Sequence, residues 1–142
     1  MSNVNQEQVR DLITRWMRAV QSKDIDAIVR PYADDILAFD AVKALQFKGK
    51  AAYRAHWEAC MAFCPDGAIF DMEQLQVHAS PELAIAHWLN RCGSAEEGAE
   101  GGCYMRVTAG YQRIDGEWKV IHEHWSAPFD METGAALFTL KP

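Results

Sequence analysis

The sequence predicts an α+β domain in which helices precede strands. Apolar residues recur at helical spacing through the first 64 residues, alternating strand-like runs occupy 68–126, and the dipeptide Asp115-Gly116 separates the last two of those runs. Helical runs followed by strand runs indicate helices packed on one face of an antiparallel sheet. With 142 residues and neither a linker nor an internal repeat, the chain reads as one domain over 1–142.

Over 6–21, Val9, Leu12, Ile13, Trp16, Met17 and Val20 make a single apolar stripe, so the first element is an amphipathic helix. Asp24 can cap a short second helix with Ile25, Ile28, Val29 and Tyr32 inward, its last turn weakened by Pro31. Residues 36–40 and the piece around Gln46-Phe47 read as short strands. Gly49 then precedes a third helix over about 50–64, with Tyr53, Trp57, Cys60, Met61 and Cys64 on its apolar side. Pro65-Asp66-Gly67 breaks that helix. Strands over 68–78 and 83–92 follow, joined by Ser80-Pro81, and a Gly/Glu-rich loop over 93–102 leads into the hairpin. The segment 130–142 is weakly patterned and reads as a tail.

Asp-Gly favours a two-residue type I′ turn. With that loop, Ile114 faces Glu117 and opposed residues keep a constant number sum. Gly110 then meets Ile121, Thr108 meets Glu123 and Arg106 meets Trp125 on one face. The other face carries Tyr111 with Val120, Ala109 with His122, and Val107 with His124. Each face mixes apolar bulk with ionisable groups, so neither is a plain solvent face. One is expected to line a cavity and the other to meet a partner.

A net charge of -6 and the absence of a basic patch interleaved with aromatics argue against nucleic acid and anionic membranes as partners. The opening MSNVNQEQVR is polar, and no apolar run approaches a membrane span, so the expected location is the cytoplasm. There the four cysteines, Cys60, Cys64, Cys92 and Cys103, read as reduced thiols, although Cys92 and Cys103 could face each other across two strands. No CxxC pair is present, and His122 and His124 have no third ligand nearby in sequence; no metal site is expected.

Two longer stretches resemble known proteins. RWMRAVQSKDIDAIVRPYADDILAFDAV, followed by FKGKAAYRAHW, resembles the opening half of bacterial steroid delta-isomerases, members of the nuclear transport factor 2-like superfamily. RVTAGYQRIDGEWKVIHEHWSAPFD resembles the SnoaL-like branch of that superfamily, and WKVIHEHWS is similar to the last strand of the calcium/calmodulin-dependent kinase association domain. The resemblance implies a cone of three N-terminal helices packed on a strongly curved antiparallel β-sheet. It also implies a ligand-sized cavity and a homodimer through the sheet's outer face. Asp40 falls where the isomerases keep a proton-carrying aspartate, and Trp125 where some place an indole that donates to it, so an Asp40–Trp125 hydrogen bond is expected. The isomerases' oxyanion donors have no counterpart. Trp16 stands at the place of their tyrosine, and Gly110, or Ala109 if the hairpin shifts by one, at that of their protonated aspartic acid. Losing one such donor typically costs about 3 kcal/mol of transition-state stabilisation, so steroid isomerisation by that route is not expected.

Matching 84–91 onto the corresponding isomerase strand, and setting Cys92 opposite Cys103, sends Ile85, His87, Leu89 and Arg91 to the cavity side. The hairpin register adds Arg106, Thr108, Ile121, Glu123 and Trp125. Trp16, Val20, Tyr32, Trp57, Ile85 and Leu89 would supply the apolar walls. The expected ligand is a small apolar or aromatic molecule with an acidic or enolisable oxygen, handled without a cofactor. In an enzyme, Asp40 would move a proton beside a carbonyl in an isomerase, cyclase or dehydratase reaction. His87 or Arg106 would stabilise the oxyanion, and Glu123 would return the proton. The alternative is a non-catalytic dimerisation or ligand-sensing module, with Arg106 bonded to Glu123 and Asp40 held by Trp125 and a second donor. A third reading is an assembly cage filled by Trp16 and Trp57. Trp88, Val107, His122 and His124 are the expected homodimer face.

Overall fold

Helix α1 (Val4–Gln21), helix α2 (Ile25–Val29), strands β1 (Tyr32–Phe39) and β2 (Phe47–Lys48), and helix α3 (Lys50–Phe63) make the first half of the computed structural model. Strands β3 (Ile69–Ala79), β4 (Leu83–Gly93), β5 (Cys103–Ile114) and β6 (Glu117–Ser126) make the second. The structure describes residues 3–93 and 102–142; the expected loop over 93–102 therefore lies largely outside the described residues.

The α1 stripe buries all six predicted residues, and Trp16 sits at its centre against Trp57, Phe70, Trp88 and Trp125 at ring separations of 5.8–6.2 Å. Asn3 caps the helix, its Oδ1 accepting from the backbone N–H groups of Asn5 (2.9 Å) and Gln6 (3.3 Å), while its amide donates to the Ala79 carbonyl on β3 at 2.9 Å. Replacing Asn3 by Ala should cost about 1 kcal/mol and lower the melting temperature by about 3 °C in a thermal scan. Asp24 caps α2 through the Ala27 N–H as predicted. That helix ends at Val29, ahead of Pro31, so Tyr32 opens β1 instead of closing the helix.

The helical expectation needs correction. α1 is one long N-terminal helix, α2 is a helix of only 5 residues, and α3 follows two strands, so helices do not all precede the sheet. The sheet also differs from the antiparallel one expected. Its order is β2-β1-β6-β5-β4-β3, and β1 runs parallel to β6. The last strand thus carries the first against it, and the loop before α3 brings the end of β1 under that helix.

The Asp115-Gly116 turn forms as predicted, with φ of 51° and 82°, the positive values a type I′ turn requires. Pairing starts in the expected register, Ile114 with Glu117 through Tyr111 with Val120. One extra residue then intervenes on β6 at Ile121, and the register becomes Gly110 with His122, Ala109 with Glu123, and Val107 with Trp125. Because side chains alternate with period two, this bulge reverses the faces of β6 relative to β5 beyond that point. Tyr111, Ala109, Val107, Val120, Glu123 and Trp125 are all buried together against the helices. The predicted pairing of Cys92 with Cys103 is present, and Ile85, His87 and Leu89 do share a face with Gly110, Thr108 and Arg106. That face is the outer one. Ala84, Ala86, Trp88 and Asn90 point inward.

Candidate functional site

Asp40 lies immediately after β1, where the chain leaves the sheet. Its Oδ2 accepts from the Nε2–H of His56 at 2.9 Å and from the Val42 backbone N–H at 3.2 Å. His56 stands on the buried side of α3, one turn from Tyr53, with its ring stacked on Phe47 at 4.2 Å. The contact is partly enclosed: the two side chains are 14% (Asp40) and 4% (His56) exposed. Both hydrogen bonds to the carboxylate use Oδ2, which leaves Oδ1 without a hydrogen-bond partner among the described residues.

Asp40 borders a cavity of about 340 Å³ between the C-terminal half of α3, the starts of β3 and β5 and the ends of β4 and β6. Trp57, Met61, Ile69, Phe70, Met105 and Trp125 form its apolar walls, and among the described residues that line it Asp40 is the charged one. Three thiols, Cys60, Cys64 and Cys92, complete the lining. Cys60 Sγ is 3.5 Å from His56 Nε2, but burial, and then the Asp40 charge, push its pKa up, so it stays a thiol. Cys92 accepts from the fully buried Asn90 amide at 3.0 Å. All four cysteines are free, and the interaction with its strand partner Cys92 lowers the Cys103 pKa to about 6.

Behind this cavity lies a second carboxylate. Glu123 is 3% exposed; its Oε2 accepts from Tyr53 Oη at 2.7 Å and from Trp125 Nε1 at 3.1 Å. Burial raises its pKa to about 7, with the Asp40 charge adding to the rise and the hydrogen bonds from Tyr53, Trp125 and Tyr32 opposing it. Tyr32 itself accepts from Trp16 Nε1 at 3.1 Å. Trp57 Nε1 is buried without a hydrogen bond among the described residues, and it sits close enough to the Tyr32 hydroxyl to favour its anion.

The structure thus brings together part of the predicted set. Asp40, Trp57 and Trp125 line the cavity, Trp16 and Tyr32 stand behind its wall, and Glu123 is held in the same core. Val20 is buried on α1 but does not reach the cavity. The expected Asp40–Trp125 bond is absent: the Trp125 indole donates to Glu123, and His56 takes the expected place beside Asp40. The bulge displaces the rest. His87, Arg106 and Thr108 are exposed on the outer face with Leu89 along a shallow groove, Ile85 is 47% exposed, and Ile121 is half-buried at the bulge itself. Arg106 donates to Ser126 Oγ at 3.2 Å and not to Glu123. The same inversion moves two of the expected interface residues inward: Trp88 and Val107 are 3% and 1% exposed. His124 is exposed on the outer side as predicted, and the half-buried His122 donates through Nδ1 to the Leu37 carbonyl at 2.5 Å.

His56 is the residue that sequence reasoning missed. It falls on the Tyr53–Trp57–Cys60 stripe, so its burial was readable, but nothing in the spacing placed it opposite Asp40. Among the described residues no group of three or more His, Cys, Asp or Glu is arranged to hold a metal ion, and no helix is long and apolar enough to cross a membrane.

The profile of the SnoaL-like domain matches residues 9–130, most of the chain and every element that builds this cavity. The chain belongs to the SnoaL-like family. Among solved structures, this SnoaL-like chain is similar to an NTF2-like protein of unknown function from Pseudomonas putida KT2440, at 58% identity over 100% of this chain and 99% of that one, with a TM-score of 0.95. A candidate dehydratase of the NTF2-like family from Streptomyces avermitilis shares 17% identity over 89% of this SnoaL-like chain and 98% of its own, at a TM-score of 0.75. A candidate ketosteroid isomerase from Parabacteroides distasonis ATCC 8503 shares 23% over 85% and 86%, at 0.68. These last two likenesses speak for the fold alone. No curated protein matches the chain.

Proposed function

We propose that the protein binds a small, largely apolar molecule and moves a proton at a position activated by a neighbouring carbonyl, as in a cofactor-independent isomerase, cyclase or dehydratase step. One observation carries this reading: Asp40 presents an unbonded Oδ1 beside an otherwise apolar cavity while His56 and the Val42 N–H fix Oδ2. A carboxylate so oriented can accept a proton without first breaking its own hydrogen bonds. His56 holds the carboxylate and can share the proton once it is taken, because the two groups are already within bonding distance. The apolar walls favour an aromatic or alicyclic body.

The oxyanion donors once expected, His87 and Arg106, lie on the far face of the sheet. That favours substrates whose enolate is delocalised within the molecule, such as aryl ketones or conjugated enones. It also keeps a second reading in view, a ligand-sensing module without turnover, since no Arg or Lys lines the cavity among the described residues. The cage reading is weakened by the open volume beside Trp57. The test is loss of α-proton signals in D2O, followed by proton NMR, for a panel of aryl ketones and β,γ-unsaturated cyclic ketones. Saturable exchange above the buffer rate supports catalysis. Ligand-induced thermal stabilisation without exchange selects the sensing module, and neither effect across the panel removes the Asp40 cavity as a small-molecule site.

A further inference from the structure

A second cavity, of about 460 Å³, opens at the opposite end of the helix layer between α1, the end of α2 and the β5–β6 turn. Its chemistry is unlike that of the Asp40 cavity. Arg15, Arg30, Arg113 and Lys119 border it, faced by the carboxylates of Asp11 and Glu117, so four cations meet two anions in a chain whose net charge is -6. The pairing is incomplete. Lys119, half-buried, lies 3.5 Å from the exposed Glu117 and donates to the Arg30 carbonyl at 3.4 Å, a solvent-facing pair worth little. Arg15 and Arg30 make no side-chain hydrogen bond or ion pair among the described residues.

Arg113 gives the site its rigidity. Its guanidinium donates to the Pro81 carbonyl at 2.9 Å, Asn5 Oδ1 at 2.7 Å and Gln8 Oε1 at 3.0 Å, and lies 4.6 Å from the Trp118 ring centre. All these partners are neutral, so the charge is fixed in place without being cancelled. Two free guanidiniums beside one locked guanidinium suit a compact anion with several oxygens, because each planar fork can present paired N–H donors. We propose that this cleft binds a phosphoryl group or another compact multivalent anion, with Arg15 and Arg30 as its direct ligands and Arg113 as a fixed source of positive potential.

The probe is inorganic phosphate, titrated into the intact protein at constant ionic strength with chloride as the balancing anion. Binding is followed by 31P line broadening and by the fluorescence of the tryptophans, of which Trp118 and Trp16 border the cleft. Saturable binding in the millimolar range or tighter is expected. Arg15→Gln combined with Arg30→Gln should weaken it at least about tenfold, and Asp11→Asn should strengthen it by removing an opposing charge. Both arginines are exposed, so far-UV circular dichroism of the double variant should match the wild type. If that variant is misfolded, Arg30→Gln alone supplies the comparison. Phosphate that fails to saturate, or that binds the arginine variants as it binds the wild type, overturns the proposal. A phosphomonoester run in parallel separates the two sources of such a group: tighter binding than inorganic phosphate points to an organic phosphate, and equal binding to the free anion.

Discussion

Replacing Asp40 with Asn should lower proton exchange by about 10²- to 10⁴-fold while leaving the fold in place. The asparagine carbonyl oxygen can take over the position of Oδ2 and keep accepting from His56 Nε2 and the Val42 N–H. The amide nitrogen then replaces the unbonded Oδ1, and an amide NH2 cannot accept a proton. The side chain is only partly enclosed, and no buried partner is left unsatisfied, so the stability change should stay within about 1 kcal/mol. Exchange rates by NMR and a urea melt of the same preparation separate the two effects. An unchanged rate in a folded variant would take Asp40 out of the mechanism and leave the cavity as a binding site.

Glu123 governs a different property, the dependence of stability on pH. Its pKa is raised from 4.5 to about 7 in the folded protein, so between those values the folded state holds a proton that the unfolded chain has released. Stability from this group is therefore fully present below pH 4.5 and falls as pH rises through about 7, by about 3 kcal/mol in all. Glu123→Gln should abolish that loss. The Tyr53 and Trp125 hydrogen bonds to Glu123 both end on one oxygen, Oε2, and a glutamine carbonyl can receive the same two donors. The variant should match the wild type near pH 4 and exceed it by up to about 3 kcal/mol at pH 8. Urea unfolding at both values measures this directly, and the difference between the two proteins cancels contributions from the histidines. Parallel pH profiles would show that Glu123 is ionised in the native core.

Most of the fold was legible because it rests on local signals. The α1 stripe, the Asp24 cap, the Gly49 and Pro65 punctuation and the Asp115-Gly116 turn each state their structure within a few residues. The β1–β6 parallel pairing was not legible, since it joins strands far apart in sequence and leaves no period of its own. The site was half legible for a sharper reason. Turn chemistry fixes register only as far as the ladder is regular, and nothing about Ile121 announces an extra residue. From that point every assignment on β5 that took Trp125 as its reference was carried to the wrong side, and the β4 residues matched to the isomerase strand share that outer face with them. Glu123 and Trp125 themselves do face inward, because they lie on the reference strand, although only Trp125 reaches the cavity and Glu123 stands behind it. His56 stayed hidden because its meaning depends on Asp40, sixteen residues earlier on a separate element.

The parallel seam between β1 and β6 also orders events in time. The Leu37 carbonyl on β1 accepts its hydrogen bond from His122, 85 residues further along the chain, and the opposite edge of β1 meets only the short β2. A ribosome-bound chain that has emerged through β4 therefore has its helices and its β3–β4 hairpin but no inner neighbour for β1. Non-local closure of this kind is slow compared with hairpin and helix formation. Asp40, at the end of that strand, and His56, which holds it from α3, are then positioned among the last parts of the molecule, after synthesis has passed residue 126. A chain interrupted within β6 would expose the apolar side of β1 to other nascent chains, which makes late truncations more prone to aggregation than loss of the 130–142 tail.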